Sequence, residues 1–166
     1  MRKMLPAFLV TIALLAFSLW ALPQLPDKVA THWGLDGQPD GWSSARFGAL
    51  LLPGVMVLMS ALFAVLPNID PLKKNYAFHG SVYYLFVNVI VAFMGVVHLL
   101  VLGSALGWPV DMRRVLPILI GALFVFIGRL LPRIQPNWFM GIRTPWTLSS
   151  EQVWRKTHAV GATCFT

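Results

Sequence analysis

Three side chains in one short stretch, His32, Asp36 and Asp40, are the residues with which this chain could do chemistry. An imidazole and two carboxylates are competent ligands for a divalent cation. However, no HExxH pair, GxSxG elbow or phosphate-cradling loop occurs in the sequence, and no nucleophile is placed beside a base. Hydrogen bonds that shape a loop are therefore the favoured role for the three side chains. We expect no catalytic residue, no metal and no cofactor, and a small metal-assisted membrane enzyme or transporter is the alternative.

The elements that must position these residues are four long apolar runs. Each run has 17 to 21 residues, close to the roughly 20 that a helix needs to cross a hydrocarbon core about 30 Å thick. The composition, 57% hydrophobic and 11% charged, suits a bilayer better than water. The first run exceeds the apolar core of about 7 to 15 residues in a signal peptide, so we expect it to remain uncleaved. The sequence predicts an all-α, polytopic membrane bundle with spans at Leu5–Leu22, Phe47–Leu66, Val82–Leu102 and Val115–Leu131.

The distribution of cations predicts the orientation of the bundle. With the amino terminus in the cytoplasm, nine Lys and Arg residues fall inside and four outside, as the positive-inside rule requires. The net charge of +7 is then explained by topology and by anionic lipid of the inner leaflet. We therefore expect a multi-pass membrane protein with the lipid bilayer as a partner and no direct contact with nucleic acid.

The first outer loop, residues 23–46, is rich in turn-forming residues. Gly34, Gly37 and Gly41 permit turns, which predicts a compact cap over the bundle. Trp33 and Trp42 suit the headgroup layer, where an apolar ring and a polar N–H both find partners.

The third run carries polar and small residues at helical spacing. Asn88 lies on this stripe and His98 lies slightly to its side. Packing against a neighbouring helix is the favoured role, because small residues allow close approach and an amide can bond across the contact. The alternative is that Asn88 and His98 line a cavity or bind a guest molecule.

The segment after the fourth run, residues 131–162, differs from the rest of the chain. Its prolines prevent a continuous helix, and tryptophans alternate with arginines, which is typical of an interfacial loop. Ser149 and Gln152 fit a capping box, which predicts a helix that starts near Ser150 and carries Val153, Trp154, Thr157, Val160 and Gly161 on one face. The loop is expected to be a membrane-surface anchor or a docking surface for a protein partner.

Two stretches of the chain resemble known families. The run from Pro136 to Ser150, followed by Val153-Trp154 and Thr157-His158, resembles the signature of the SdpI family of bacterial membrane proteins. Upstream, Leu25-Pro26 and the residues from His32 to Trp42 are similar to the domain of unknown function DUF1648. The resemblance divides the chain into a DUF1648-like region, 1–66, and an SdpI-like region, 67–166. Family members usually continue through further spans, which implies that residues 158–166 begin a fifth transmembrane helix.

This resemblance implies an immunity and signalling protein of the bacterial plasma (inner) membrane that is not an enzyme. Such a protein protects the cell from a secreted antimicrobial peptide toxin and can hold a cytoplasmic transcriptional repressor at the membrane. The toxin-facing candidates in the outer loop are His32, Trp33, Asp36, Asp40 and Trp42. The candidates in the inner signature are Asn137, Trp138, Gly141, Arg143, Thr144, Pro145, Trp146, Trp154 and His158.

Overall fold

The computed structural model describes residues 2–34 and 36–166. Four long helices, α1 Leu5–Ala21, α2 Ala45–Ile69, α3 Tyr76–Ala105 and α4 Met112–Leu130, are followed by two shorter ones, α5 Pro145–Ser149 and α6 Glu151–Cys164. A hairpin of two strands, β1 Lys28–Trp33 and β2 Pro39–Ser44, separates α1 from α2. Four segments are long and apolar enough to cross a membrane: Arg2–Gln24, Ala45–Ile69, Gly80–Ala105 and Met112–Arg133. The predicted fold class, an all-α membrane bundle with four spans, is confirmed.

Helices α1, α2 and α3 form the packed centre of the bundle. Ala7, Leu14, Met56 and Val91 are buried together where the three helices meet. A Cβ at Gly95 would lie 2.7 Å from Leu14 Cδ1, so the glycine allows α1 to approach α3 closely. Helix α4 packs mainly on α3 and α6, so it is the least enclosed of the four spans.

The polar residues of α3 face both ends of α1. Asn88 Oδ1 accepts the Ala7 N–H at 3.0 Å, and Asn88 Nδ2 donates to the Lys3 carbonyl at 2.9 Å. His98 is buried, and its Nε2 atom lies 2.7 Å from Ser18 Oγ. Its Nδ1 atom has no hydrogen-bond partner within the described part of the chain. These bonds between helices fit the packing role that the sequence favoured for the stripe.

The loop between the first two spans, predicted to lie outside the cell, folds as an antiparallel β-hairpin. Lys28 lies opposite Ser44 in the strand pairing, and Val29 is buried against α2, where a Cβ at Gly48 would lie 3.2 Å from the Val29 side chain. Ser44 also caps α2, because its Oγ accepts the Phe47 N–H at 3.4 Å. The turn residues predicted a compact cap but not its strands, which are short and gain much of their stability from packing on the bundle.

The chain after α4 forms the signature loop, which we define as residues 134–150 and which includes α5. Helix α6 begins after Ser150, whose Oγ accepts the Val153 N–H at 3.4 Å. The predicted start of this helix is correct, but the predicted capping box at Ser149 and Gln152 is wrong. Ser149 instead donates its hydroxyl to the Trp146 carbonyl at 3.1 Å, because Pro145–Ser149 already forms the separate helix α5.

The buried face of α6 also differs from the prediction. Trp154 and His158 are buried, whereas Val153 and Val160 are exposed. Of the predicted face only Trp154 is buried, and tertiary packing adds His158, which the prediction had left off that face. Helix α6 has 14 residues and packs against α4.

Candidate functional site

Asn137 is the centre of the signature loop. Its side chain is fully buried. Nδ2 donates to the carbonyls of Gln135 and Met140, both at 2.9 Å, and Oδ1 accepts the N–H groups of Phe139 at 2.9 Å and Met140 at 2.6 Å. One amide therefore satisfies four backbone groups that no helix or strand could satisfy, and it fixes the path of the loop.

The signature loop is tied to the loop between α2 and α3. Asp70, only 2% exposed, accepts the N–H of Leu72 at 2.7 Å, the hydroxyl of Tyr76 at 3.1 Å and the N–H of Trp138 at 3.0 Å. Asn75 adds a bond from Nδ2 to the Pro136 carbonyl at 2.7 Å. The sequence alone indicated neither tether.

The environment of Asp70 also affects its tyrosine partner. Burial raises the pKa of Tyr76, and the negative charge of Asp70 and the hydrogen bond to it raise that pKa further. Tyr76 therefore stays a neutral hydroxyl donor to Asp70. The sequence signal that could have indicated this contact is the single carboxylate among the cations of an otherwise basic loop.

Trp154 and His158 form a stacked pair beneath the loop. Their ring centroids are 4.2 Å apart with an interplanar angle of 21°. Trp154 Nε1 donates to the Ile134 carbonyl at 2.8 Å, and His158 Nε2 accepts the Ile142 N–H at 3.1 Å. Gly141, with φ of 110°, sits so close to this ring that a Cβ there would overlap His158 Nε2. Helix α6 therefore contacts the loop through the rings of Trp154 and His158, and Gly141 of the loop lets the His158 ring approach closely.

The end of the signature loop is held by a capping box. Thr144 Oγ1 accepts the Thr147 N–H at 3.2 Å, and Thr147 Oγ1 accepts the Thr144 N–H at 2.8 Å, with Pro145 in the first turn of α5. This arrangement leaves Trp146 70% exposed. Arg143 is also exposed and donates from its guanidinium to the Trp138 carbonyl.

Among the predicted signature residues, two groups can therefore be distinguished. Asn137, Trp154 and His158 are buried and support the loop from inside. Gly141, Thr144 and Pro145 shape its backbone through the contact with His158 and the start of α5. Trp138, Arg143 and Trp146 present exposed aromatic and cationic surface at this end of the bundle.

The hairpin brings together two of the three residues with metal-ligand chemistry. His32 Nδ1 is paired with Asp40 Oδ1, whereas Asp36 Oδ1 accepts the Gln38 N–H at 3.0 Å and shapes the turn. In the described part of the chain no group of three or more His, Cys, Asp and Glu residues could hold a metal ion. The hydrogen bonds support the loop-shaping role, and the metal-assisted alternative is not favoured.

A cavity of about 390 Å³ lies beneath the hairpin. Its upper wall is the strand segment that contains His32 and Trp33, and its lower wall comprises apolar residues of α2, α3 and α4, including Leu51, Leu52, Val97, Val101 and Leu116. A second cavity of about 230 Å³ shares Trp33 and Leu116 with it and reaches the first turns of α4. Near this second cavity the hairpin turn touches α4, because a Cβ at Gly37 would overlap the Cβ of Arg113. Trp42, the fifth outer candidate, is exposed on the opposite strand.

The fold and its two ends define a multi-pass helical membrane protein with a β-hairpin at one end and a structured aromatic and basic loop at the other. Residues 133–166 match the SdpI/YfhL protein family, and residues 9–57 match the domain of unknown function DUF1648. These matches confirm the resemblance to the SdpI family that the sequence indicated.

One characterised relative supports the same assignment along most of the chain. Immunity protein SdpI of Bacillus subtilis (strain 168) is 24% identical over 155 residues, which cover 93% of this chain and 72% of that protein. No solved structure gives a significant match.

Proposed function

We propose that this chain is an integral membrane immunity protein that protects a bacterial cell from a secreted, membrane-active peptide toxin. The proposal rests on similarity to an immunity protein over 93% of the chain, together with a cavity that opens beneath the hairpin. The cell would hold the hairpin outside and the signature loop in the cytoplasm, in agreement with the nine inner and four outer cations.

The cavity beneath the hairpin suits an apolar segment of a peptide. Its lower wall consists of leucines and valines of three spans, while Thr31 and His32 supply polar groups at its mouth. About 390 Å³ is within the range of about 300–1,000 Å³ that ligand pockets usually have. A membrane-active peptide would approach along the bilayer surface, where Trp33 lines both cavities.

Survival of toxin-sensitive cells tests this proposal. Expression of the chain should raise survival against a sporulation-delaying peptide toxin of the kind that gives the SdpI family its name. Leu51→Trp should reduce this protection because the larger ring fills the cavity, whereas Leu58→Trp, on an exposed face of the same helix, should leave it intact. Equal survival with and without the chain at a verified membrane level would reject the proposal.

A cytoplasmic repressor is proposed as the second partner. Exposed Trp138 and Trp146 lie beside Arg143 on the signature loop, and aromatic residues beside arginine are enriched at the centres of protein interfaces. The repressor should move to the membrane fraction when toxin is added, and Trp146→Ala should prevent this. Trp20→Ala, which removes an exposed tryptophan from α1 near the hairpin, is the matched control. A repressor that stays soluble in the presence of toxin would leave immunity without signalling.

Catalysis is not part of the proposed function. The relative is named as an immunity protein, and the hairpin uses its imidazole and carboxylates in hydrogen bonds of its own.

A further inference from the structure

An apolar groove lies at the end of the bundle opposite the hairpin. It has a volume of about 380 Å³ and runs between α3, α4, the signature loop and the end of α6. Its walls are formed by apolar side chains, among them Phe86, Ile127, Leu130, Phe139, Ile142 and Phe165. None of these residues belongs to the cavity beneath the hairpin.

Three arginines flank the residues that line this groove. Arg129 precedes Leu130 in the last turn of α4, Arg133 precedes Ile134, and Arg143 follows Ile142. All three are exposed. Arg143 donates to a backbone carbonyl, and no ion pair involves any of the three within the described part of the chain.

In the part of the chain that the structure describes, no acidic side chain is paired with any of these three arginines. Of the six acidic residues, Asp27, Asp36, Asp40 and Asp111 lie in or beside the hairpin end. At the groove end, Asp70 is buried and already accepts three hydrogen bonds, while Glu151 lies 3.9 Å from Arg155. The groove therefore offers an apolar lining whose residues are neighboured in sequence by three exposed arginines without ion pairs among the described residues. An apolar surface with cations nearby, at the end of a membrane span, suits both parts of an anionic phospholipid.

We propose that this groove is a binding site for a phospholipid with a negatively charged headgroup. One acyl chain occupies the space between Phe86, Ile127 and Ile142, and the phosphate lies among Arg129, Arg133 and Arg143. The bound lipid bridges α4 and the signature loop, and it would add a contact to the span that otherwise packs mainly on α3 and α6. The site does not depend on the immunity function.

Retention of lipid by the purified protein tests the site. The 166-residue chain in detergent is mixed with equal amounts of phosphatidylglycerol and phosphatidylcholine that carry the same acyl chains, and bound lipid is counted by native mass spectrometry. Phosphatidylglycerol should be retained in preference. Arg129→Gln and Arg133→Gln should each lower that preference by about five-fold, from the attraction of one cation near an anionic headgroup. Neither arginine side chain makes a hydrogen bond or an ion pair among the described residues, so these changes should not disturb the fold.

Three further variants distinguish a lipid site in the groove from a general attraction between a basic protein and anionic lipid. Arg155→Gln removes a cation that pairs with Glu151 and should leave the preference unchanged. Arg129→Lys keeps the charge and should preserve the preference. Ile127→Trp fills the groove and should lower retention of both lipids. Equal retention of the two lipids by the unaltered chain, an equal effect of Arg155→Gln and Arg129→Gln, or a lipid-free dimer that buries the groove would each overturn the proposal.

Discussion

His158 accepts the backbone N–H of Ile142 at its Nε2 atom, at a distance of 3.1 Å. Its Nδ1 atom lies 2.8 Å from the Trp154 carbonyl, which can only accept. The two partners therefore define a neutral imidazole with the proton on Nδ1. A second proton on Nε2 would face the Ile142 N–H and remove the bond that joins α6 to the signature loop.

The signature loop should lose stability in acid. Burial lowers the pKa of His158 below its ordinary value of 6.5, although the bond to the Trp154 carbonyl partly opposes this effect. The unfolded loop binds a proton more readily than the folded loop, so the contribution to stability is complete above about pH 6.5 and declines as the pH falls below that value. Hydrogen exchange of residues 137–158 should therefore speed up between pH 7 and pH 5 after correction for the intrinsic rate.

Two glutamine variants identify the responsible group. His158→Gln should remove this pH dependence and lower loop protection at every pH. His32→Gln, in the exposed hairpin pair, should leave the dependence as it is. A pH dependence that persists in His158→Gln would contradict the assignment.

The buried amide of Asn137 should be essential for the folded loop. Asn137→Ala removes four hydrogen bonds and leaves backbone groups of Gln135, Phe139 and Met140 without partners. Each unsatisfied buried group costs about 1–3 kcal/mol, so the loop should lose at least about 2 kcal/mol. Proteolysis within residues 134–150 measures this loss, and Asn68→Ala, at an exposed position, is the control.

Asp70 should connect the two loops at this end of the bundle. Asp70→Asn keeps the shape of the side chain but replaces an acceptor oxygen with an amide N–H donor. This donor can face the Tyr76 hydroxyl or the Trp138 N–H, which lowers the stability of the contact by about 1–3 kcal/mol. Exchange of the Trp138 N–H should increase, while the spans stay protected. Asp111→Asn, which alters an exposed ion pair, should have no effect on Trp138.

The spans and the position of the signature helix could be predicted because they depend on local pattern. The lipid requires every backbone group of a span to be satisfied within its own helix, so hydropathy and length were sufficient. The hairpin strands could not be predicted with the same ease, since Val29 is stabilised by a surface of α2, outside the hairpin itself. The capping residue of α6 was misplaced by one position because the short helix α5 was not recognised.

The tethers of the signature site were missed for a related reason. Asp70 and Trp138 are 68 residues apart in sequence. Asp70 stands out as the single carboxylate of a basic loop, but this pattern does not identify its partner. The motif from Pro136 to Ser150 placed most of the candidate residues in one segment of the chain. It could not separate Asn137, which builds the loop, from Trp146, which is exposed.

The orientation of the bundle should follow the distribution of its cations. In a Cys164→Ser background, Trp42→Cys on the hairpin should react with a membrane-impermeant maleimide in intact cells, because this position is exposed. Trp146→Cys should react only after the cells are permeabilised. Labelling of Trp146→Cys in intact cells, with no labelling of Trp42→Cys, would reverse the topology and remove the proposed toxin contact.

Gly141 should tolerate no side chain. Its φ of 110° costs any L-residue about 1–2 kcal/mol, and a Cβ there would also overlap His158 Nε2. Gly141→Ala should therefore lower the melting temperature of the signature loop and expose the Trp154 and His158 pair, which changes the near-ultraviolet circular dichroism of the tryptophan.

A variant at Gly107 separates the cost of the backbone conformation from the cost of the overlap with His158. Gly107 also has a positive φ, 85°, but a Cβ there would meet nothing within 4 Å. Gly107→Ala carries the backbone cost alone, so any additional loss of stability in Gly141→Ala measures the contact with His158. If the two variants lose the same stability, the close approach of Gly141 to the imidazole does not hold α6 against the loop.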